Sequence, residues 1–221
     1  YSLSSNNDTG TGWGGMRDLD HMSENVQKNV KAYLKFLLED LGYVGFRYDM
    51  VKGYSASYTM MYNEDSKPQF SVGECWDSSN AIKNWIDGTG KTSAAFDFQF
   101  RYTVRNAINN GDWTYLSKQN EGNWPLVSNN ISSGVYRQYA VTFVENHDTE
   151  KRANSYQDPI KQDTLAANAY LLAMHGTPCV FLTHWKAYKQ EIAKMVAGRK
   201  AVGVTNTSAV VNMASNKDYY S

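Results

Sequence analysis

An α/β fold with a parallel sheet is what this sequence predicts, and two observations carry that prediction. Short apolar runs alternate with amphipathic helical stretches five times along the 221 residues. Such alternation implies parallel strands joined by right-handed crossovers. Three of the runs also end in acids: Gly45-Phe46-Arg47-Tyr48-Asp49, Phe70-Ser71-Val72-Gly73-Glu74, and the run from Tyr139 through Phe143-Val144-Glu145-Asn146-His147-Asp148. Functional residues at C-terminal strand ends suit a (β/α)8 barrel, and a doubly wound open sheet puts its sites there too. Five strands do not close such a barrel, so the sheet is open or the chain forms part of one.

The elements follow in order. Residues 1–17 read as loop, because Asn6, Asn7, Asp8, Gly10, Gly12, Gly14 and Gly15 disfavour regular structure. From Ser23, a plausible N-cap, the positions Val26, Val30, Tyr33, Leu34, Leu37, Leu38 and Leu41 mark one helical face, and Gly42 stops it. The Gly45 strand comes next, then a helix around Ser55 to Tyr62, then the Phe70 strand. Ala81, Ile82, Trp85 and Ile86 define a helix ended by Gly88. A short strand at Ala94 to Phe98 leads into a helix through Val104, Ala107 and Ile108, stopped at Gly111. Residues 111–136 read as a long polar connection. The Tyr139 strand follows, then a helix from Thr164 to Met174, a strand from Pro178 to Leu182, and a helix from Tyr188 to Val196. After Gly203 the pattern predicts antiparallel strands of a different unit.

Composition excludes little but points in one direction. Lys plus Arg and Asp plus Glu are 22 each, so no surface for nucleic acid or acidic lipid is indicated. The 16 Tyr and 6 Trp suit stacking on sugar rings, although they also serve ordinary cores. Cys75 and Cys179, both in or beside apolar runs, are expected as buried free thiols. No run reaches the roughly 20 apolar residues of a membrane helix. The polar, Gly-rich beginning, the lack of an initiator Met and an end inside an apparent strand are expected of part of a longer protein.

The acids carry the chemistry. Two carboxylates flanking a glycosidic bond suffice for hydrolysis: one attacks or activates water, and the other protonates the leaving oxygen. In a retaining enzyme they stand about 5–5.5 Å apart, a spacing that neighbouring strand ends could supply. Arg47 shares a side of its strand with Asp49 by two-residue alternation, and its guanidinium would keep Asp49 ionised. Val72, Cys75 and Trp76 surround Glu74 in sequence, so an apolar pocket would raise its pKa towards the acid role. A single acid at a loop start is commonplace. Three in one pattern, with Arg47 and His147 beside them, point to a site. His21, His175 and His184 show no metal-like spacing and read as structural, and the sequons at Asn7, Asn130 and Asn206 are of low specificity.

Gly45-Phe46-Arg47-Tyr48-Asp49, Val72-Gly73-Glu74-Cys75-Trp76 and Phe143-Val144-Glu145-Asn146-His147-Asp148 resemble three sequence blocks of the α-amylase family of glycoside hydrolases, family 13, in the family's order. Asp18-Leu19-Asp20 is similar to the block that ends the family's protruding loop domain, and Gly176-Thr177-Pro178-Cys179-Val180-Phe181 to its eighth strand. Lys52-Gly53-Tyr54-Ser55 is most similar to the plant-type enzymes and their bacterial relatives. The similarity runs from about Asp8 to Met195.

This resemblance implies a part of a (β/α)8 TIM barrel, about strands 4 to 8. Residues 1–20 would be the end of a calcium-binding loop domain, 21–200 the C-terminal part of the barrel, and 201–221 the start of a C-terminal antiparallel β domain. It implies retaining endo-hydrolysis of α-1,4-glucosidic bonds in starch, with transglycosylation or a non-catalytic binding role as alternatives. Asp49 would be the nucleophile, Glu74 the general acid and base, and Asp148 the third carboxylate. His147 would bind hydroxyls of the same sugar and Arg47 would orient Asp49. Lys52, Gly53 and Trp76 would line the acceptor side. Calcium would be held by side-chain oxygens of Asp8 and Asp18 and backbone carbonyls of Thr11 and Gly53. The family's first block, on its third strand, has no match here. Starch and maltooligosaccharides are the expected partners, a monomer the expected state, and an extracellular or periplasmic site the expected compartment.

Overall fold

The computed structural model describes residues 4–12, 14–15, 17–152 and 157–221. The parts of the expected N-terminal loop at 1–3, 13 and 16 lie outside the described residues. The chain forms two compact units, Tyr1–Phe96 and Asp97–Ser221.

In the first unit, helix α1 (Glu24–Glu39) starts after Ser23, whose carbonyl accepts from Gln27 N at 3.0 Å although its hydroxyl makes no cap bond. The chain turns at Gly42, where φ is +73°, and enters β1 (Gly45–Tyr48). A 3-10 turn (Val51–Gly53) leads to α2 (Ala56–Ser66), then β2 (Phe70–Gly73), α3 (Ser79–Gly88) and β3 (Ala94–Phe96). β1 and β2 pair in parallel from Gly45↔Phe70 to Tyr48↔Gly73, and β2 pairs with β3 at Val72↔Ala94 and Gly73↔Ala95. Val51, Tyr62, Ile82, Trp85, Ile86 and Ala95 form its core. A buried polar chain ties the sheet to α2: Tyr48 Oη donates to Asn63 Oδ1 at 3.0 Å, Asn63 Nδ2 to Ser71 Oγ at 3.1 Å, and Ser71 Oγ meets Ser93 Oγ at 2.7 Å.

β3 stops two residues before the expected Phe98. Asp97 ends it, because its carboxylate caps the next helix by accepting from Phe100 N at 3.0 Å.

In the second unit, α4 (Phe98–Asn110) closes on Gly111 in the left-handed conformation. The expected polar connection contains two 3-10 stretches, Trp113–Ser117 and Ser132–Tyr139. β4 (Ala140–Thr142) pairs in parallel with β5 (Thr177–Pro178), and α5 (Thr164–Ala173) lies between them in sequence. The strand expected from Pro178 to Leu182 is corrected: it ends at Pro178, and α6 (Leu182–Ala187) follows. Trp185 N already donates to Phe181 O at 2.9 Å, so local helical bonds replace the ladder. α7 (Lys189–Ala201) outruns the expected end at Val196. Arg199 stabilises that last stretch by donating to Leu172 O and Gly176 O, both at 2.9 Å. After Gly203, antiparallel pairing is present as one hairpin, with Ser215 bridged to Tyr220 and Met213 N donating to Ser221 O at 2.7 Å.

Both cysteines are free. Cys75 is buried as expected, whereas Cys179, expected to be buried, is exposed, although its N–H still donates to Thr142 O at 2.8 Å.

Candidate active site

β1 buries Phe46 and Tyr48 and turns Arg47 the other way. Arg47 Nη1 donates to Asp49 Oδ1, and its Nη2 lies 3.2 Å from Glu74 Oε2. Glu74 stands one residue beyond β2, where the two chains stay paired past the strand ends. Its N donates to Tyr48 O at 2.9 Å, and its carbonyl accepts from Val51 N at 3.3 Å. Met50 N donates to Glu74 Oε2 at 3.0 Å.

The two carboxyls therefore share one guanidinium but differ in environment. The Asp49 side chain is 67% exposed and that of Glu74 8%. Burial pushes the Glu74 carboxyl above the usual carboxylate range. The Met50 N–H opposes this, the side-chain hydrogen bond with Asp49 adds to it, and the Arg47 charge opposes it.

Lys52 and Trp76, expected to line one side, belong to a clamp on the loop after Glu74. Lys52 Nζ pairs with Asp77 Oδ2 at 2.7 Å and donates to Trp76 O at 3.2 Å. Trp76 is 37% exposed, so it is not sequestered in the core. Gly53 N donates to Met50 O at 3.0 Å, closing the turn that follows Asp49.

His147 and Asp148 lie in the second unit. Asn146 Oδ1 accepts from Asp148 N at 3.0 Å and Thr149 N at 2.9 Å, a side-chain-closed turn that presents both residues. Asp148 Oδ2 is 3.1 Å from His147 Nε2, and Asp148 Oδ1 is 3.6 Å from Arg152 Nη2. Beneath this turn sits Glu145, to which the sequence pattern assigns no role. It is buried, lies 3.3 Å from the fully buried Arg101, and accepts from Ile160 N at 2.8 Å. Asp158 Oδ2 and Oδ1 extend the network to Arg101 and Arg105, each at 2.7 Å. A charged residue inside the apolar run Phe143-Val144-Glu145 was the available signal, since such a residue needs a buried partner.

The expected calcium ligands divide. Thr11, Asp18 and Gly53 line one cavity of about 240 Å³, together with Arg17, His21 and Asp49. Asp8 is not among its walls; its Oδ1 accepts from Gly10 N at 2.8 Å. The loop carrying these residues rests directly on the turn after Asp49. Thr11 N donates to Lys52 O at 2.7 Å, and a Cβ on Gly10 would stand 2.3 Å from Gly53 C. Asp18 and Asp49 bring two carboxylates to this cavity and Arg17 a positive charge, whereas a hard cation such as calcium takes six to eight oxygens. Among the described residues no group of three or more His, Cys, Asp or Glu is placed to hold a metal. The three histidines other than His147 are held by internal partners: His21 Nδ1 meets Tyr62 Oη at 2.7 Å, His175 Nε2 meets Val127 O at 2.6 Å, and His184 Nδ1 meets Asn168 Nδ2 at 3.2 Å.

Residues 11–185 match the alpha-amylase catalytic domain. The chain belongs to the alpha-amylase family. It is 32% identical to probable alpha-amylase 2 of Arabidopsis thaliana, over 97% of this chain and 55% of that protein. It is 31% identical to the chloroplastic alpha-amylase 3 of the same plant, over 97% of this chain and 25% of that protein. The chain thus spans about half, or less, of the length of these curated relatives. The fold is also that of an Anoxybacillus alpha-amylase crystal structure, with a TM-score of 0.71 and 14% identity over 93% of this chain and 50% of that one. Its α/β architecture is therefore part of the alpha-amylase TIM barrel.

Proposed function

We propose that this chain carries the catalytic carboxylates of a retaining, endo-acting α-1,4-glucan hydrolase. The observation behind the proposal is the Asp49–Glu74 pair. Asp49 is open to solvent and paired with Arg47, whereas Glu74 is buried and its carboxyl pushed up. Those environments divide the labour between an ionised nucleophile and a protonated acid. The hydrogen bond between the two carboxyls and the Arg47 they share make them close neighbours, which supports the retaining arrangement over the wider inverting one.

In the proposed reaction an Asp49 oxygen attacks the anomeric carbon while the bond to the leaving oxygen breaks. Glu74 gives its proton to that oxygen. Water then enters, Glu74 takes its proton, and hydroxide displaces Asp49, restoring both carboxyls. Asp148 and His147 would bind hydroxyls of the reacting sugar, and Trp76 would offer a ring face on the acceptor side beside Lys52 and Gly53. Calcium would be held by Thr11, Asp18 and Gly53, with Asp8 contributing from the same loop, and would brace that loop against the turn after Asp49. Starch or maltooligosaccharides are the proposed substrates, and an extracellular or periplasmic site the proposed compartment.

Starch hydrolysis by the protein and by Glu74→Gln tests this reading. Loss of at least ~100-fold in the variant is expected, the scale of general acid catalysis. A fully active variant would remove the mechanism. With maltoheptaose as substrate, products longer than the substrate would reassign the same acids to transglycosylation.

A further inference from the structure

Met50 directly follows the proposed nucleophile and stands at φ 41° and ψ 48°, in the left-handed region that side chains disfavour. Its side chain does not account for this, being 41% exposed. Backbone bonds do. The Met50 carbonyl accepts from Gly53 N at 3.0 Å, and its N–H donates to Glu74 Oε2 at 3.0 Å. On either side, Glu74 N to Tyr48 O at 2.9 Å and Val51 N to Glu74 O at 3.3 Å hold the two chains in register. A residue kept in a disfavoured conformation by its surroundings, beside reacting groups, marks a device rather than an accident.

Glu74 Oε2 also forms an ion pair with Arg47 Nη2 at 3.2 Å. The charged groups set against Glu74 are Arg47, from β1, and Asp49, from the turn after it. A hydrogen bond between two carboxyls needs one proton, which is disfavoured on an oxygen that already accepts the Met50 N–H and faces the Arg47 guanidinium.

We infer that Met50 is a positioning residue: its left-handed backbone aims an N–H at Glu74 Oε2, reserving that oxygen as an acceptor and placing the transferable proton on Oε1. This inference rests on the acid role proposed for Glu74. In the first step the Oε1–H bond breaks, its proton passes to the glycosidic oxygen, and that oxygen keeps the electron pair of the bond to the anomeric carbon. The charge left on Glu74 then spreads to Oε2, where the Met50 N–H and the Arg47 charge already stand. In the second step Oε1 recovers a proton from water.

The test removes one hydrogen. An ester in place of the Met50 amide, introduced with the hydroxy-acid analogue of methionine, keeps the side chain and deletes the N–H. Protein labelled with ¹³C at glutamate carboxyls reports the Glu74 titration, assigned by the signal missing from Glu74→Gln. The ester is expected to move that titration up by about one pH unit, because a donor to the charged form is lost. The alkaline limb of the pH–rate profile moves the same way. Met50→Gly keeps the N–H and relieves the backbone, so the titration stays in place and Tm holds or rises. An unmoved titration in the ester, or an equal shift in Met50→Gly, would overturn the inference. Should the ester fail to fold, Met50→Val decides: a β-branched residue resists φ 41°, so Tm falls and Glu74 titrates higher, and an unchanged titration overturns the idea. The titration needs no substrate. Absence of starch hydrolysis would therefore remove the acid role, while the titration still decides which donor holds Oε2.

Discussion

Burial shifts the carboxyls of Glu74 and Asp97 more than their charged neighbours do. Asp97 is the extreme case: it is fully buried and its carboxyl is pushed up to about 6, although the N–H groups of Phe100 and Val127 oppose the shift. The unfolded carboxyl titrates at its ordinary value of 3.8. The protonated form thus favours the fold fully below that value, and this contribution is lost as pH rises through about 6. Asp97→Asn cannot ionise, so its stability relative to the parent should increase between pH 4 and pH 7. Urea unfolding at the two pH values measures this, and a constant difference would contradict it. At this scale the sequence was partly readable. Asp49, Glu74 and Asp148 stand where apolar runs end, which is visible in the letters. Glu145 lies inside the same run as Asp148, and only the buried guanidinium of Arg101 tells the two acids apart. Asp97 was readable as a cap before Phe98, but the apolar letters around it suggested continued strand.

Between elements, the placement of Glu74 depends on how closely α3 approaches β2. A Cβ on Gly73 would stand 2.2 Å from Cη2 of Trp85, so the ring occupies the space a side chain would take. Gly73→Ala should cost about 1–3 kcal/mol and displace the end of β2 that carries Glu74. In a double-mutant cycle with Trp85→Leu, the combined loss should fall short of the sum by about 0.5–3 kcal/mol. Simple additivity would show that the ring does not set the approach. Sequence reading found α3 from its apolar face and β2 from its run, but no pattern in either reveals which glycine meets which ring. Element ends were the least legible feature for a related reason. β5 and α7 end where they do because of Phe181 O and the reach of Arg199, contacts that no local spacing encodes.

For the chain as a whole, alternation of strands and helices was enough to read the class of fold, while the boundary at Phe96 and Asp97 was not readable. It falls within Ala94-Ala95-Phe96-Asp97-Phe98, which has none of the Gly, Pro or Ser that mark a linker. The proposed calcium also acts at this scale, through the seat of the loop on the turn after Asp49. Calcium at 100 times its Kd should stabilise the protein by about 2.7 kcal/mol and raise Tm, and a chelator should reverse this. In Gly10→Ala, where the loop cannot seat, added calcium should change Tm little. A parent Tm indifferent to both calcium and chelator would remove the metal. The contrast between the two thiols has a practical consequence as well. Cys75 is 3% exposed and adjoins Glu74, whereas Cys179 is open to solvent. In a Cys179→Ser background, the rate at which a thiol reagent captures Cys75 becomes a clock for transient opening of the strand end beneath the proposed acid. Ligands that steady this region, a maltooligosaccharide among them, should slow that clock.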